Sequence, residues 1–151
     1  MWHRLPVNDP DLKLDGLSIW VRGRQFPDAS DYYDGNSLIT IATMQVGQSS
    51  VTTEGAILMT SDFERFRNEL AAMHETLTGE ALLSGYEPNL KVLLRADRLG
   101  HINGKVEITP DQMSEFHRFD VDFDQTYLPA LLTSCEAIMQ RFPVVGRPDD
   151  L

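Results

Sequence analysis

Cysteine and long apolar runs are scarce in this sequence of 151 residues, in which Cys135 is the single cysteine. One cysteine excludes an intramolecular disulfide and a four-cysteine zinc site, and this usage fits a reducing compartment. No apolar run approaches the roughly 20 residues that a membrane helix needs. Residues 1–6 lack the apolar core of a signal peptide. We therefore expect a cytoplasmic protein that does not bind a membrane.

Motifs of the common enzyme classes are also missing. The sequence has no Gly-x-Ser-x-Gly elbow, no Gly-x-x-x-x-Gly-Lys loop and no Gly-x-Gly-x-x-Gly fingerprint. His3, His74, His101 and His117 have no second histidine or cysteine at a zinc-ligand spacing. Cys135 lies on an apolar helical stripe, which indicates a buried and inert thiol. We expect no catalysis, no metal centre and no cofactor.

Basic residues are few: the sequence has 13 Lys and Arg and 23 Asp and Glu, which gives a net charge of −10. A negative field repels nucleic-acid phosphates and anionic membrane surfaces, so we expect neither as a direct ligand. The same field favours a partner with a basic surface. The simpler interpretation is that acidity only keeps the protein soluble.

The remaining composition is that of an ordinary globular protein, with 42% hydrophobic and 24% charged residues. A chain of this length buries enough surface for one core, which predicts a single domain over residues 1–151. Two prolines, Pro6 and Pro10, interrupt the beginning of the chain. We expect an irregular N-terminal arm over residues 1–15 and a frayed end over residues 147–151.

Two kinds of apolar periodicity divide the rest of the chain. Period-two alternation and β-branched runs predict about seven strands, at residues 17–26, 38–46, 51–59, 81–83, 90–96, 102–109 and 116–123. Helical stripes predict one helix with Ser61 as N-cap and Gly79 as left-handed C-cap, and a second from the cap Thr126 to Phe142. The order of strands and then a helix occurs twice. This order predicts an α+β fold in which a mainly antiparallel sheet carries two amphipathic helices on one face.

The connection between the first two predicted strands, residues 26–36, is long enough to be functional. It combines three carboxylates, Asp28, Asp31 and Asp34, with two aromatic rings, Tyr32 and Tyr33. Tyrosine is enriched at the energetic centres of protein interfaces, so these five residues are candidate partner contacts. The alternative is a surface loop whose tyrosines cover the sheet and keep only their hydroxyls in water.

The last predicted strand carries alternating carboxylates, Asp120, Asp122 and Asp124. Strand geometry puts all three on one face and the intervening apolar residues on the other. A calcium loop is excluded because Gln125 and Leu131 occupy its glycine and glutamate positions, whereas a site assembled from distant carboxylates stays open. The three aspartates form either a solvated face or an acidic platform that imitates phosphates toward a basic partner.

Four short segments carry a resemblance to a known family, namely residues 22–28 (RGRQFPD), 31–36 (DYYDGN), 124–128 (DQTYL) and 142–144 (FPV). Over residues 17–148 the sequence resembles small bacterial proteins grouped as WapI-type immunity proteins. Members are taken to be cytoplasmic antidotes to secreted contact-dependent toxins, of which the WapA tip is a tRNA-cleaving nuclease. The resemblance implies a toxin domain as partner and supplies no catalytic residues.

Three functional hypotheses follow. The first is a non-enzymatic immunity protein, monomeric or homodimeric, that neutralises a basic nuclease through an acidic surface. The second is a non-enzymatic protein-interaction domain of another purpose, for example a self-associating scaffold. It requires an exposed apolar patch, for which the surroundings of Trp2 and Trp20 are the place to look. The third is an enzyme that uses carboxylates such as Asp31, Asp34 and Asp124, which requires those acids to converge in a cleft.

Overall fold

The computed structural model describes residues 5–149, which fold into two antiparallel sheets and three α-helices. The first sheet has the order β1-β2-β3-β4 and consists of Leu12–Leu14, Leu17–Arg24, Ser37–Val46 and Ser49–Met59. The second has the order β5-β6-β7-β8 and consists of Glu80–Ser84, Leu90–Ala96, His101–Ile108 and Arg118–Asp124. The predicted α+β class is confirmed. The strands number eight within the described residues and divide into two sheets.

The helices lie between and after these strands. Helix α1 (Tyr32–Asn36) joins β2 to β3, α2 (Thr60–Thr76) joins the two sheets, and α3 (Leu128–Arg141) follows β8 through a 3-10 turn at Gln125–Tyr127. The apolar stripes predict α2 and α3 correctly, whereas the loop expected over residues 26–36 is wrong in part, because it contains α1. Only five residues long, α1 has no apolar periodicity by which it could be recognised.

One hydrophobic core includes residues of both sheets, α2 and α3. On α2, the apolar stripe that predicted the helix is fully buried at Phe63, Phe66 and Leu70. Each such side chain contributes roughly 1.5–3 kcal/mol of transfer free energy when it leaves water. The two long helices pack against each other, and Arg67 of α2 donates to Glu136 of α3 at 2.9 Å.

The predicted N-terminal arm is wrong where it meets the first sheet. Residues 12–14 form β1, in which Leu12 and Leu14 are buried and pair with Ile19 and Leu17 of β2. Three residues are too few to show a period, so this strand forms through pairing with β2 and not through a local pattern. Residues 1–4, with Trp2, and residues 150–151 lie outside the described part of the chain. Residues 147–149 are exposed and have no regular structure.

Both predicted ends of α2 are displaced. The helix follows β4 directly at Thr60, and the Asp62 carboxylate accepts the Met59 backbone N–H at 2.8 Å. Ser61 therefore lies inside the first turn. At the other end Leu77, with φ of 55°, takes the left-handed cap position that we assigned to Gly79. The Leu77 N–H donates to the Met73 carbonyl, and this cap lies two residues before the glycine.

The start of α3 differs from the prediction in the same way. Asp124 accepts the Thr126 N–H at 2.9 Å and so caps the 3-10 turn, and α3 begins at Leu128. Thr126 is not the cap, because the stronger carboxylate acceptor lies two residues before it. Pro129 stands in the first turn of α3, where a missing N–H removes no helical hydrogen bond.

Candidate functional site

The strand β8 presents its carboxylates to solvent, as its alternation predicted. Asp120, Asp122 and Asp124 are exposed, whereas Val121 between them is buried. We call the three the β8 aspartates. At the outer edge of the strand, the Asp122 N–H donates to the Asp15 carboxylate at 3.2 Å. This bond occupies a backbone donor that an edge strand otherwise leaves open to another strand.

Asp120 and Asp122 face side chains of β7, and Asp124 accepts a hydrogen bond from the turn after β8. The Lys105 ammonium contacts Asp120, and this hydrogen bond and charge lower the pKa of Asp120 below its ordinary range. His101 Nε2 lies 3.8 Å from Asp122 Oδ2. The pKa of Asp124 is lowered mainly by its hydrogen bond from the Thr126 backbone. The aspartates are therefore engaged by neighbouring groups.

The whole outer face of the second sheet has nearly balanced charge. Cross-strand pairing aligns the β8 aspartates with residues of β5, β6 and β7 that point to the same side. Four cations and five carboxylates share this face: Lys91, Arg95, Lys105, Arg118, Glu80, Glu107, Asp120, Asp122 and Asp124. With histidine neutral, the face carries a net charge of about −1 by this count. The alternation was correctly predicted, but the opposing cations depend on strand pairing.

The second group of predicted residues surrounds α1. Asp31 caps this helix by accepting the Asp34 N–H at 3.0 Å. Tyr32 and Tyr33 are in edge-to-face contact, with ring centroids 5.2 Å apart. Tyr33 also approaches Tyr86, which follows β5, at a centroid distance of 6.1 Å. Tyr33 is 41% exposed and Tyr86 is 77% exposed, so the aromatic pair is open to solvent.

The position of α1 is fixed by the segment that follows α3. The fully buried Asn36 amide donates to the Tyr32 carbonyl at 2.6 Å and the Val145 carbonyl at 2.8 Å, and its oxygen accepts the Val145 N–H at 2.9 Å. Arg24 donates to the carbonyls of Gly35 and Pro143. These bonds join β2, α1 and the end of the chain, so the tyrosines have a rigid base.

Beside the tyrosines lies a groove of about 650 Å³ between α2 and β5. We call it the tyrosine groove. Tyr32 and Tyr86 form part of its wall, and α2 contributes charged and polar side chains, Asp62, Glu64, Arg65, Asn68 and Glu69. An adjoining hollow of about 250 Å³ shares Met59 and Tyr86 with the groove and adds Tyr33, Asp34 and Glu87.

Close packing at Gly85 positions the Tyr86 end of the groove. A Cβ at Gly85 would come within 2.9 Å of both the Asp62 carboxylate and the Ile57 carbonyl, so only glycine fits. Burial raises the pKa of Asp62 above its ordinary value, although the Met59 N–H bond and Arg65 oppose the shift. This partly desolvated carboxylate therefore stands directly against the turn that carries Tyr86.

The two groups of predicted residues lie on separate surfaces. Asp122 contacts Asp15, just before β2 begins, whereas Asp31 and Asp34 follow the end of β2. A strand of eight residues spans roughly 26 Å. Asp31, Asp34 and Asp124 therefore do not converge in one cleft, which the enzyme hypothesis required.

Three residues of the tyrosine groove carry no strong signal in the sequence. These are Asp62, Glu64 and Tyr86. Among the residues predicted from the sequence, Tyr32 lines the groove, and Tyr33 and Asp34 line the adjoining hollow. Tyr86 belongs to the turn after β5, and an aromatic residue beside Gly85 and Pro88 was the one available signal. Its proximity to Tyr33 depends on the tertiary fold.

Cys135 is buried in α3, as predicted. Burial, with a smaller contribution from Glu136, raises the pKa of its thiol to about 12. At pH 8 roughly one molecule in ten thousand then carries a thiolate. We expect less than 5% labelling by iodoacetamide in one hour for the folded protein and complete labelling in 6 M guanidinium, measured by mass spectrometry. Rapid labelling without denaturant would contradict this burial.

In residues 5–149, no helix is long and apolar enough to cross a membrane. The same residues contain no group of three or more histidine, cysteine or acidic side chains arranged to hold a metal ion.

Comparisons with known proteins give a match along most of the chain. Residues 11–143 match the model of a family described as the immunity protein WapI-like family. No curated protein matches the sequence. A solved structure, the CdiA-CT/CdiI toxin and immunity complex from Enterobacter cloacae, contains a chain with 10% identity and a TM-score of 0.42. The alignment covers 67% of this chain and 89% of that chain, and this similarity is too low to carry an argument.

Proposed function

Because the chain belongs to the immunity protein WapI-like family, we propose that it is an immunity protein that binds a bacterial protein toxin and neutralises it. It acts by occupying the toxin and not by catalysis, in the cytoplasm, as a monomer or homodimer. The residues proposed to act on the toxin, through contact or through their charge, are those singled out in the sequence, namely Asp28, Asp31, Tyr32, Tyr33, Asp34, Asp120, Asp122 and Asp124.

The proposed toxin is a basic nuclease. A nuclease needs a positive surface to hold RNA, and a chain with a net charge of −10 can occupy that surface with carboxylates in place of phosphates. The observation that carries the proposal is the exposed pair Tyr33 and Tyr86, with carboxylates around it. Tyrosine is enriched among the few residues that carry most of the binding energy of protein interfaces.

Capture followed by rescue tests this function. The tagged chain is used to recover bound polypeptides from the source bacterium, and each recovered domain is then expressed in a host cell with and without the chain. We expect one basic domain that stops growth alone and permits growth with the chain. Recovery of the chain alone, or a recovered domain whose toxicity the chain does not relieve, would contradict the proposal and favour a self-associating scaffold.

Replacing Asp120, Asp122 and Asp124 together by asparagine tests the contribution of charge. The change brings the net charge from −10 to about −7 and weakens the attraction of a basic toxin. We expect association about two- to tenfold slower at low salt and a flatter dependence of the rate on salt. Stopped-flow measurements provide their own control at 0.5 M salt, where the variant and the parent should converge. Unchanged kinetics at every salt concentration would contradict the steering role.

A further inference from the structure

The tyrosine groove and its adjoining hollow differ in charge from the outer face of the second sheet. Three carboxylates of the groove wall, Asp62, Glu64 and Glu69, stand against one cation, Arg65. The hollow adds Asp34 and Glu87 and no lining cation. Five carboxylates with one arginine make this surface clearly negative, whereas four cations nearly neutralise the face that carries the β8 aspartates.

One carboxylate of the groove, that of Glu64, is available to bind a cation from a partner. Glu64 makes no hydrogen bond or ion pair within residues 5–149, whereas Glu69 is engaged by the Leu82 N–H at 2.8 Å. The Arg65 guanidinium donates to the Ser84 carbonyl at 2.8 Å, which holds it against the wall. Asp62 is partly desolvated, so a cation that enters the groove would relieve the cost of its buried charge.

Aromatic rings complete the site. Tyr32 and Tyr86 border the groove, and the face of a tyrosine ring attracts a guanidinium group. Arginine unites a planar stacking surface with a forked donor for carboxylates, which lysine does not. The volume of about 650 Å³ suits a few side chains of a peptide segment and not a folded domain.

We infer that the tyrosine groove, and not the face of β8, is the docking site for an arginine-bearing segment of the toxin. This inference rests on the proposed function and specifies its contact surface. Tyr86 supplies the stacking face and Glu64 the free carboxylate. The β8 aspartates act at longer range and affect the rate of association with the toxin. The groove makes the short-range contacts and therefore sets the rate of dissociation.

A short peptide tests the chemistry of the groove without any toxin. Ac-Arg-Gly-Arg-amide is titrated into the 15N-labelled chain and compared with Ac-Glu-Gly-Glu-amide. We expect saturable amide shifts at Glu64, Arg65, Gly85 and Tyr86 with the arginine peptide alone. Tyr86→Ala and Glu64→Gln should each weaken this binding about two- to fivefold. Shifts centred on β8, or no saturable shift, would overturn the inference.

The control variant is Glu75→Gln, which removes the same charge from the same helix. Glu75 is exposed and lies eleven residues beyond Glu64, roughly 16 Å along α2. It should leave the affinity for the peptide unchanged. If Glu75→Gln weakens peptide binding as much as Glu64→Gln does, the weakening follows from net charge alone, and the assigned role of the groove is overturned.

With a captured toxin the same variants separate the inference from the proposed function. We call the protein with Asp120, Asp122 and Asp124 replaced by asparagine the β8 variant. Faster dissociation for Tyr86→Ala, together with slower association for the β8 variant, supports the groove as the docking site. Faster dissociation for the β8 variant alone overturns the groove but leaves the immunity function intact. A chain that fails to relieve any recovered toxin contradicts the function, whatever the result with the peptide.

Discussion

Asn36→Asp is expected to lower the free energy of unfolding by about 3–5 kcal/mol at pH 7. The amide of Asn36 is fully buried and donates to two carbonyls, those of Tyr32 and Val145. A carboxylate of the same shape loses both donors and places a negative charge against the two carbonyl oxygens. Urea unfolding followed by circular dichroism measures the loss.

Acid should reverse part of this loss. The introduced carboxyl is buried beside acceptors, so its pKa in the folded state lies above its value in the unfolded state. Stability is then lost as the pH rises through that range and recovered below about pH 4, where the proton restores one donor. The control is Asn68→Asp on the exposed side of α2, which should change stability by less than about 0.5 kcal/mol. Equal losses for the two variants would contradict the role assigned to Asn36.

Tyr86→Ala is expected to weaken toxin binding about 30-fold or more, with little change in the free energy of unfolding. A truncated aromatic residue at the centre of an interface commonly costs about 2 kcal/mol or more of binding energy, which corresponds to this factor. Tyr86 is 77% exposed in the free chain, so the fold loses few contacts. Calorimetric titration gives the affinity, and thermal unfolding of the same sample gives the stability.

The matched control for Tyr86 is Phe116→Ala. Phe116 is also a largely exposed aromatic ring, but it lies in the loop before β8 and outside the tyrosine groove. It should leave affinity within about twofold, as expected for a residue outside the central contacts. If both variants weaken binding equally, the exposed aromatic residues share the contact and Tyr86 is not its centre. Tyr33→Ala should fall between them, because Tyr33 contacts the edge of the same cluster.

The periodic spacing of apolar residues correctly predicted the strands and helices that are long enough to show such a period. The strand β6 has the predicted bounds at Leu90–Ala96, and α2 buries the predicted residues Phe63, Phe66 and Leu70. The division into two sheets was not predictable in this way, because alternation shows that a strand has two faces but not which strand it pairs with. The strand β1 and the helix α1 are too short for any period to appear.

The candidate site was predictable only in part for the same reason. The tyrosines next to acidic residues in the DYYDGN segment marked Tyr32 and Tyr33 as contact residues. Their relation to Tyr86 depends on a contact between segments 53 positions apart in the sequence. The β8 aspartates were correctly placed on an exposed face, but Lys105 pairs with Asp120 only through the register of β7 and β8. Sequence alone overstated the acidity of that face.

The hydrogen bonds between Asn36 and Val145 also determine when α1 can be completed during synthesis of the chain. Asn36 is made early, yet its amide finds two of its three partners only when Val145 has been added, 109 positions later. Before Val145 is added, all eight described strands can pair, but α1 lacks its two hydrogen bonds to Val145, so Tyr33 is held less firmly beside Tyr86. A polypeptide that ends with α3 would therefore contain all eight described strands but lack the Val145 contacts that hold α1 and its tyrosines.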